Sequence, residues 1–103
     1  MNLQDEQCIY EFWLHSFEED DMTKSVYRPL SFEFPPSMGR EGIEIKKNGE
    51  IIFHIIGPDD TPQQIIGHFE IQAKNKLTIH FNDKESKIIT ILSCEKGLLV
   101  IQK

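Results

Sequence analysis

Ile43-Glu44-Ile45-Lys46-Lys47-Asn48-Gly49-Glu50-Ile51-Ile52-Phe53 is the stretch on which the fold turns. Apolar and polar residues alternate up to Ile45, the turn-forming pair Asn48-Gly49 follows, and a second apolar run begins at Ile51, which is the pattern of a β-hairpin. Side-chain parity selects the register, because a slip of one residue turns every side chain to the opposite face. A three-residue loop Lys47-Asn48-Gly49, with Gly49 left-handed, places Ile45 opposite Ile51 and Ile43 opposite Phe53. A two-residue Asn48-Gly49 turn would pair Ile43 with His54, and the three-residue reading is preferred.

The same reasoning extends to the C-terminus. Around Lys74-Asn75-Lys76 it pairs Ala73 with Leu77, Ile71 with Ile79 and Phe69 with Phe81, while Glu70 meets His80 on the other face. Glu95-Lys96-Gly97 repeats the three-residue pattern and joins Lys87–Ser93 to Leu98–Lys103. Upstream, residues 10–16 read as an opening strand, although 3–12 also fit a short helix. The acidic cluster Glu18, Glu19, Asp20 and Asp21 ends regular structure. Residues 26–34 are extended, because Arg28 and Phe34 each precede a proline and are pushed out of the helical region.

These pieces amount to about eight short strands, the number that closes a small barrel and removes its edges. The expected fold is therefore all-β: a small antiparallel up-and-down barrel or half-barrel forming a single domain over residues 1–103. Three strands, 51–56, 88–92 and 98–101, are apolar on both faces, so something must cover the outside. Two covers suggest themselves, the N-terminal segment and a second copy of the chain in a homodimer.

Composition limits the function. The 103 residues carry a net charge of −6, and 39% are hydrophobic. That field repels phosphate backbones and anionic headgroups, so neither nucleic acid nor membrane is an expected partner. The N-terminus lacks the basic start and apolar core of a secretory signal, and no apolar run approaches the ~20 residues of a spanning helix. Cys8 and Cys94 stand at opposite ends without metal-ligand spacing. They read as reduced thiols of a cytoplasmic protein, and a disulfide between them would require the ends of the barrel to meet.

Trp13 in an opening strand, Glu18-Glu19, Val26-Tyr27-Arg28-Pro29, Gly39-Arg40-Glu41-Gly42, Asn48-Gly49-Glu50, Ile56-Gly57-Pro58-Asp59-Asp60, Gly67-His68-Phe69 and a closing Ile91-Leu92-Ser93-Cys94 strand form an ordered series. In this layout the chain resembles small bacterial lipocalin-like (calycin-type) proteins over nearly its whole length. The resemblance implies a lipocalin-like β-barrel in a group whose members mostly have no assigned activity. The short strands and missing signal peptide set the chain apart from the larger secreted lipocalins.

The candidate site is a binding site. Phe53, Phe69 and Phe81 would point inward with Ile43, Ile71 and Ile79, and core packing is the simpler role for them, ligand lining the sharper one. Trp13 joins the same apolar set. Arg28 and Arg40 are the only arginines, and their planar forks suit a carboxylate or phosphate at a barrel mouth, with Tyr27 beside them. Their simpler role is to pair with Glu18, Glu19, Asp20 or Asp59 and pin loops. His15, His54, His68 and His80 lie on separate segments, so no metal site and no cofactor is expected, even though His68 and His80 come close to Glu70. No nucleophile stands beside a base in the sequence, which turns the expectation away from an enzyme. The expected ligand is a small apolar molecule or a carboxylate.

Overall fold

A computed structural model describes residues 8–37, 39–73, 75–82 and 84–103, and of Asp60 the backbone only. Half of the segment that also fitted a short helix, residues 3–7 of 3–12, lies outside the described residues, as does Lys74 of the second turn. Eight strands form one closed antiparallel barrel: β1 (Phe12–His15), β2 (Lys24–Pro29), β3 (Gly42–Ile45), β4 (Glu50–Ile56), β5 (Pro62–Gln72), β6 (Lys76–Phe81), β7 (Ser86–Glu95) and β8 (Leu98–Gln102). The all-β barrel expected from the hairpin pattern is the fold. No helix among the described residues is long and apolar enough to cross a membrane.

From β3 to β8 each strand pairs with the next, as a meander should. The N-terminal pair departs from that order. The strand β1 lies between β2 and β3 and is antiparallel to both, pairing Trp13 with Pro29 on one side and with Ile43 on the other. Strands β2 and β3 therefore run the same way, and the connection 30–41 crosses the outside of β1 to return to the starting end. Ring closure is completed by β2 and β8, where Lys24 meets Gln102 and Val26 meets Val100.

The hairpin that decided the fold has the expected register, with Ile45 opposite Ile51, Ile43 opposite Phe53, and Gly49 at φ +93°. The β5–β6 hairpin corrects its expectation by two residues: Ile71 faces Leu77, Phe69 faces Ile79, Gly67 faces Phe81, and His68 rather than Glu70 faces His80. Two-residue slips preserve parity, so alternation is blind to them. Side-chain space and turn anchoring are not. The absent side chain of Gly67 leaves room for Phe81, whose ring would lie 3.1 Å from a Cβ built there. The turn is tied to β7 by Asn75, whose Nδ2 donates to the Ile91 carbonyl at 3.2 Å while the Ile91 N–H donates to the Asn75 carbonyl at 2.8 Å. The β7–β8 turn is also corrected. Glu95 pairs with Leu98 across a two-residue Lys96-Gly97 turn, and the extra residue sits instead in a bulge at Leu92, between the Ile91–Ile101 and Ser93–Val100 pairs.

Inward-facing Trp13, Ile43, Ile45, Ile51, Leu77, Ile79, Ile89, Ile91 and Leu99 make the core, joined from the N-terminal turn by Ile9, which is fully buried. Phe53, Phe69 and Phe81 pack against this core, half-buried, whereas Ile71 is exposed near the turn. Trp13 donates its Nε1–H to the Ile9 carbonyl at 3.0 Å, which holds the N-terminal turn across one end of the barrel. The outside of β1 and β2 is covered by the 3-10 turn Phe17–Glu19 and the crossing connection, so that Val26 is buried on the outer face. Nothing among the described residues covers β7 in this way, and Ile88 is 62% exposed.

Gly67→Ala is expected to destabilise the fold by about 1–3 kcal/mol, because its methyl would lie 2.9 Å from Ile79 Cγ2 and 3.1 Å from the His80 carbonyl inside a packed wall. Chemical denaturation of the purified variant measures this, and a midpoint unchanged from the parent would show that the wall yields.

Candidate functional site

With the N-terminal turn plugging one end, the opposite end of the barrel remains open. A half-open cup of about 720 Å³ occupies it. By strand parity its inner wall is made of Ser25 and Tyr27 from β2, Ile43 from β3, Phe53 and Ile55 from β4, Lys87 and Ile89 from β7, and Ile101 from β8. Glu41 and Lys103 stand at its rim. Its lining is mixed, with polar side chains such as Ser25, Tyr27, Glu41, Lys87 and Lys103 at least as prominent as the apolar ones.

Lys87 is the distinctive member. Its parity with Ile89 and Ile91 puts it on the inner side of β7, where, exposed at the barrel mouth, its ammonium lies 5.6 Å from the Phe53 ring centroid on β4. No carboxylate of the described residues pairs with it. Phe53 in turn has its ring centroid 6.0 Å from that of Phe81. The cup thus offers a cation beside an aromatic wall.

Tyr27, on β2 with only β8 between it and β7, supplies a hydrogen-bond donor. Its ring stacks on His15 at 4.9 Å. Burial, reinforced by the Asp20 and Glu41 carboxylates, pushes its pKa up to about 12, so the phenol stays protonated at neutral pH. His15 is held by Asp20, whose Oδ2 lies 2.7 Å from His15 Nε2 and whose Oδ1 accepts the Val26 N–H at 2.7 Å. Lys103 Nζ comes within 3.9 Å of the same carboxylate. Glu41 is engaged too, accepting the Ile56 N–H at 3.1 Å.

The two arginines are placed outside the cup. Arg28 binds Glu19 through Nε and Nη2, each at 2.9 Å, donates Nη1–H to the Gly97 carbonyl, and lies 4.8 Å from the Phe32 ring centroid. Arg40 binds Glu18 through Nη1 at 2.8 Å and Nη2 at 2.6 Å, donates to the carbonyls of His15 and Pro35, and sits between the rings of Phe17 and Phe34. Each guanidinium holds its partner carboxylate below the usual range. These pairs fasten the 3-10 turn and the crossing connection to the barrel.

Of the residues singled out from the sequence, Tyr27 and Phe53 line the cup, while Phe69 and Phe81 pack on the core and Trp13 is buried toward the plugged end. Lys87 and Lys103 were not among them. An isolated lysine in a polar run carries no pattern of its own, but the parity that placed Ile89 and Ile91 inside would have placed Lys87 there as well. Among the described residues no group of three or more potential ligands could hold a metal ion. Comparison of the chain with protein-family models, with curated proteins and with solved structures returns no match.

Two outcomes follow from this geometry. Because the Glu18 and Glu19 pKa values are depressed in the fold, their pairing stabilises it above pH 4.5 and that contribution is lost as pH falls through the lowered values. Acid unfolding should therefore begin at higher pH in the Arg28→Ala, Arg40→Ala double variant than in the parent; coincident acid transitions would mean the ion pairs do not hold in solution. For Tyr27 the sign is opposite, since a raised pKa gives stability below pH 10 that disappears as pH climbs toward about 12. In a Tyr10→Phe background, phenolate absorbance should appear with a midpoint near 12, and a midpoint at 10 would place the phenol in water.

Proposed function

We propose that this protein binds a small amphipathic ligand, an apolar body carrying a carboxylate or similar anionic group, in the open cup of the barrel. The observation that supports it above all is Lys87, an exposed cation on the inward-facing side of β7 at the barrel mouth, with the Phe53 ring across from it and no carboxylate partner among the described residues. Ion pairing in a partly enclosed cup is stronger than in bulk water, and the protonated Tyr27 phenol adds a second donor. Ile43, Phe53, Ile89 and Ile101 would take the apolar body. Arg28 and Arg40 have no part in this reading, each being paired with a carboxylate outside the cup.

Kinship with the lipocalin-like group and residence in a reducing cytoplasm belong to the same proposal. The ordered dipeptides and the closed eight-stranded barrel support the first, and two free cysteines support the second. The crossing connection over β1 counts against a strict up-and-down order. Catalysis is not part of the reading. The Ser25 and Tyr27 hydroxyls line the cup, but neither hydrogen-bonds a base among the described residues. A second reading, a homodimer or protein-docking module, is favoured by one observation, the uncovered Ile88 and Leu92 on the outer face of β7.

Native mass spectrometry of protein taken from its own host separates the two, since a retained small mass supports the binder and a bare dimer supports the docking module. Lys87→Glu then tests the site. Its affinity for an aromatic anion such as anilinonaphthalene sulfonate should drop roughly tenfold or more, while that for the neutral phenylnaphthylamine changes less than about twofold. Equal affinity of parent and variant for the anion would remove Lys87 from the site and the proposal with it.

A further inference from the structure

Strand β7 is paired unequally on its two sides. Toward β6 it is paired from its first residue, with Ser86 opposite His80 and Thr90 opposite Lys76. Toward β8 its first pair is Ile91 with Ile101. Beyond that pair β8 is held by β2, where Gln102 faces Lys24 and the Lys103 N–H donates to the Thr23 carbonyl at 2.9 Å. Ser86–Thr90 therefore border a slit in the wall: the ring is closed at the plugged end and parted at the mouth. The cup runs out through this slit, since its lining joins the inward-facing Lys87 and Ile89 to Lys76, Ile88 and Thr90, which parity turns outward.

Backbone direction decides what the slit offers. The Phe81 N–H donates to the Glu85 carbonyl at 2.9 Å and the Ile91 N–H to the Asn75 carbonyl at 2.8 Å, so the odd-numbered residues from Glu85 to Ile91 direct their backbone groups to β6. Neighbouring residues of a strand direct theirs to opposite edges. The N–H and C=O of Ser86 and Ile88 consequently point into the slit, and no strand among the described residues pairs with them there. An edge of this kind is a template for another strand, main chain to main chain. Ile88 itself, 62% exposed, stands on the outer face.

Charge selects the strand. Although the chain carries a net charge of −6, Lys76, Lys87 and Lys103 line the slit and cup against one carboxylate, Glu41, which already accepts the Ile56 N–H. Lys76 and Lys87 pair with no carboxylate among the described residues. A second copy of the chain would bring the same lysines to the slit and meet them with like charge, whereas an acidic strand neutralises them.

We propose that the slit docks an extended acidic segment of a partner protein, which takes up the line of β8 antiparallel to Ser86–Thr90. Its main chain exchanges both hydrogen bonds with Ile88. The residue opposite Ile88 then lies on the outer face, where an apolar side chain covers the isoleucine, and its neighbours turn inward, where a Glu or Asp meets Lys87 across the strands. The docking needs the edge of β7 and not the interior of the cup, so it stands apart from the small-ligand reading.

A capped, fluorophore-labelled peptide of alternating Glu and Val is the probe, read by fluorescence anisotropy on the full chain. Ile88→Pro removes an N–H that the peptide must take and leaves the ladder to β6 intact, because that N–H faces the slit. Its affinity for the peptide should fall roughly tenfold or more, whereas Ile88→Val, which keeps the N–H, should stay within about twofold of the parent. Lys87→Glu should weaken the peptide by roughly tenfold as well. The same peptide N-methylated at its Val residues, which removes the N–H groups facing Ile88, should bind the parent roughly tenfold more weakly, a test that leaves the protein unaltered. Ile88→Pro should still bind anilinonaphthalene sulfonate as the parent does, which separates the slit from the cup. Equal affinity of the parent for the plain and N-methylated peptides, equal affinity of parent and Ile88→Pro for the plain peptide, equal binding of a Lys-Val counterpart, no binding by the parent at millimolar peptide, or a dimer of the chain that Ile88→Pro dissociates would each overturn the proposal.

Discussion

Ring closure is the constraint on which the rest of the structure depends. A β-strand with one bare side exposes a row of unpaired N–H and C=O groups, and a barrel removes that cost only when its last gap is filled. Here the gap is filled by β1, a strand of four residues paired on both sides. Its shortness explains the apparatus around it. Trp13 anchors it inward, by its ring in the core and its Nε1–H on Ile9, while the Arg28–Glu19 and Arg40–Glu18 pairs tie down the turn that follows it and the connection that crosses it. The polar chemistry of the N-terminal third is thus largely given over to holding one short stave in place. That division leaves the cup at the open end to Tyr27, Lys87 and Lys103.

Much of this was legible in the sequence, and the failures have physical causes. Asn48-Gly49 fixed the first hairpin because its left-handed glycine admits few registers, whereas Ala73 adopts φ +58° in the second turn, a conformation that the residue type does not announce. Alternation detected the correct face of β5 and β6 but could not see a two-residue slip, which was decided by Gly67 making room for Phe81. The Leu92 bulge was invisible because a bulge and a longer turn produce the same downstream parity. The order of β1 and β2 depends on contacts between the two ends of the chain, about which no local pattern speaks.

The candidate site shows the same division. Arginines stood out by their rarity, and the acidic cluster nearby already named their partners. Lys87 did not stand out among nine lysines, although in the run Lys87-Ile88-Ile89-Thr90 it shares its inward face with Ile89. Rarity pointed to the scaffold, and parity pointed to the cup. Parity is the better guide in a barrel, because being inside is a geometric property before it is a chemical one.

The connection over β1 also orders events in time. Every pair from β3 to β8 joins neighbours in the sequence, so these hairpins close short loops and form at small entropic cost. Pairing Lys24 with Gln102 spans nearly the whole chain and waits for the meander to offer β8 as a template. Residues 30–41 cannot settle across β1 until that strand is in place beneath them. The late steps of folding are therefore those of the N-terminal third, and a chain emerging from its amino end makes first the part it must assemble last.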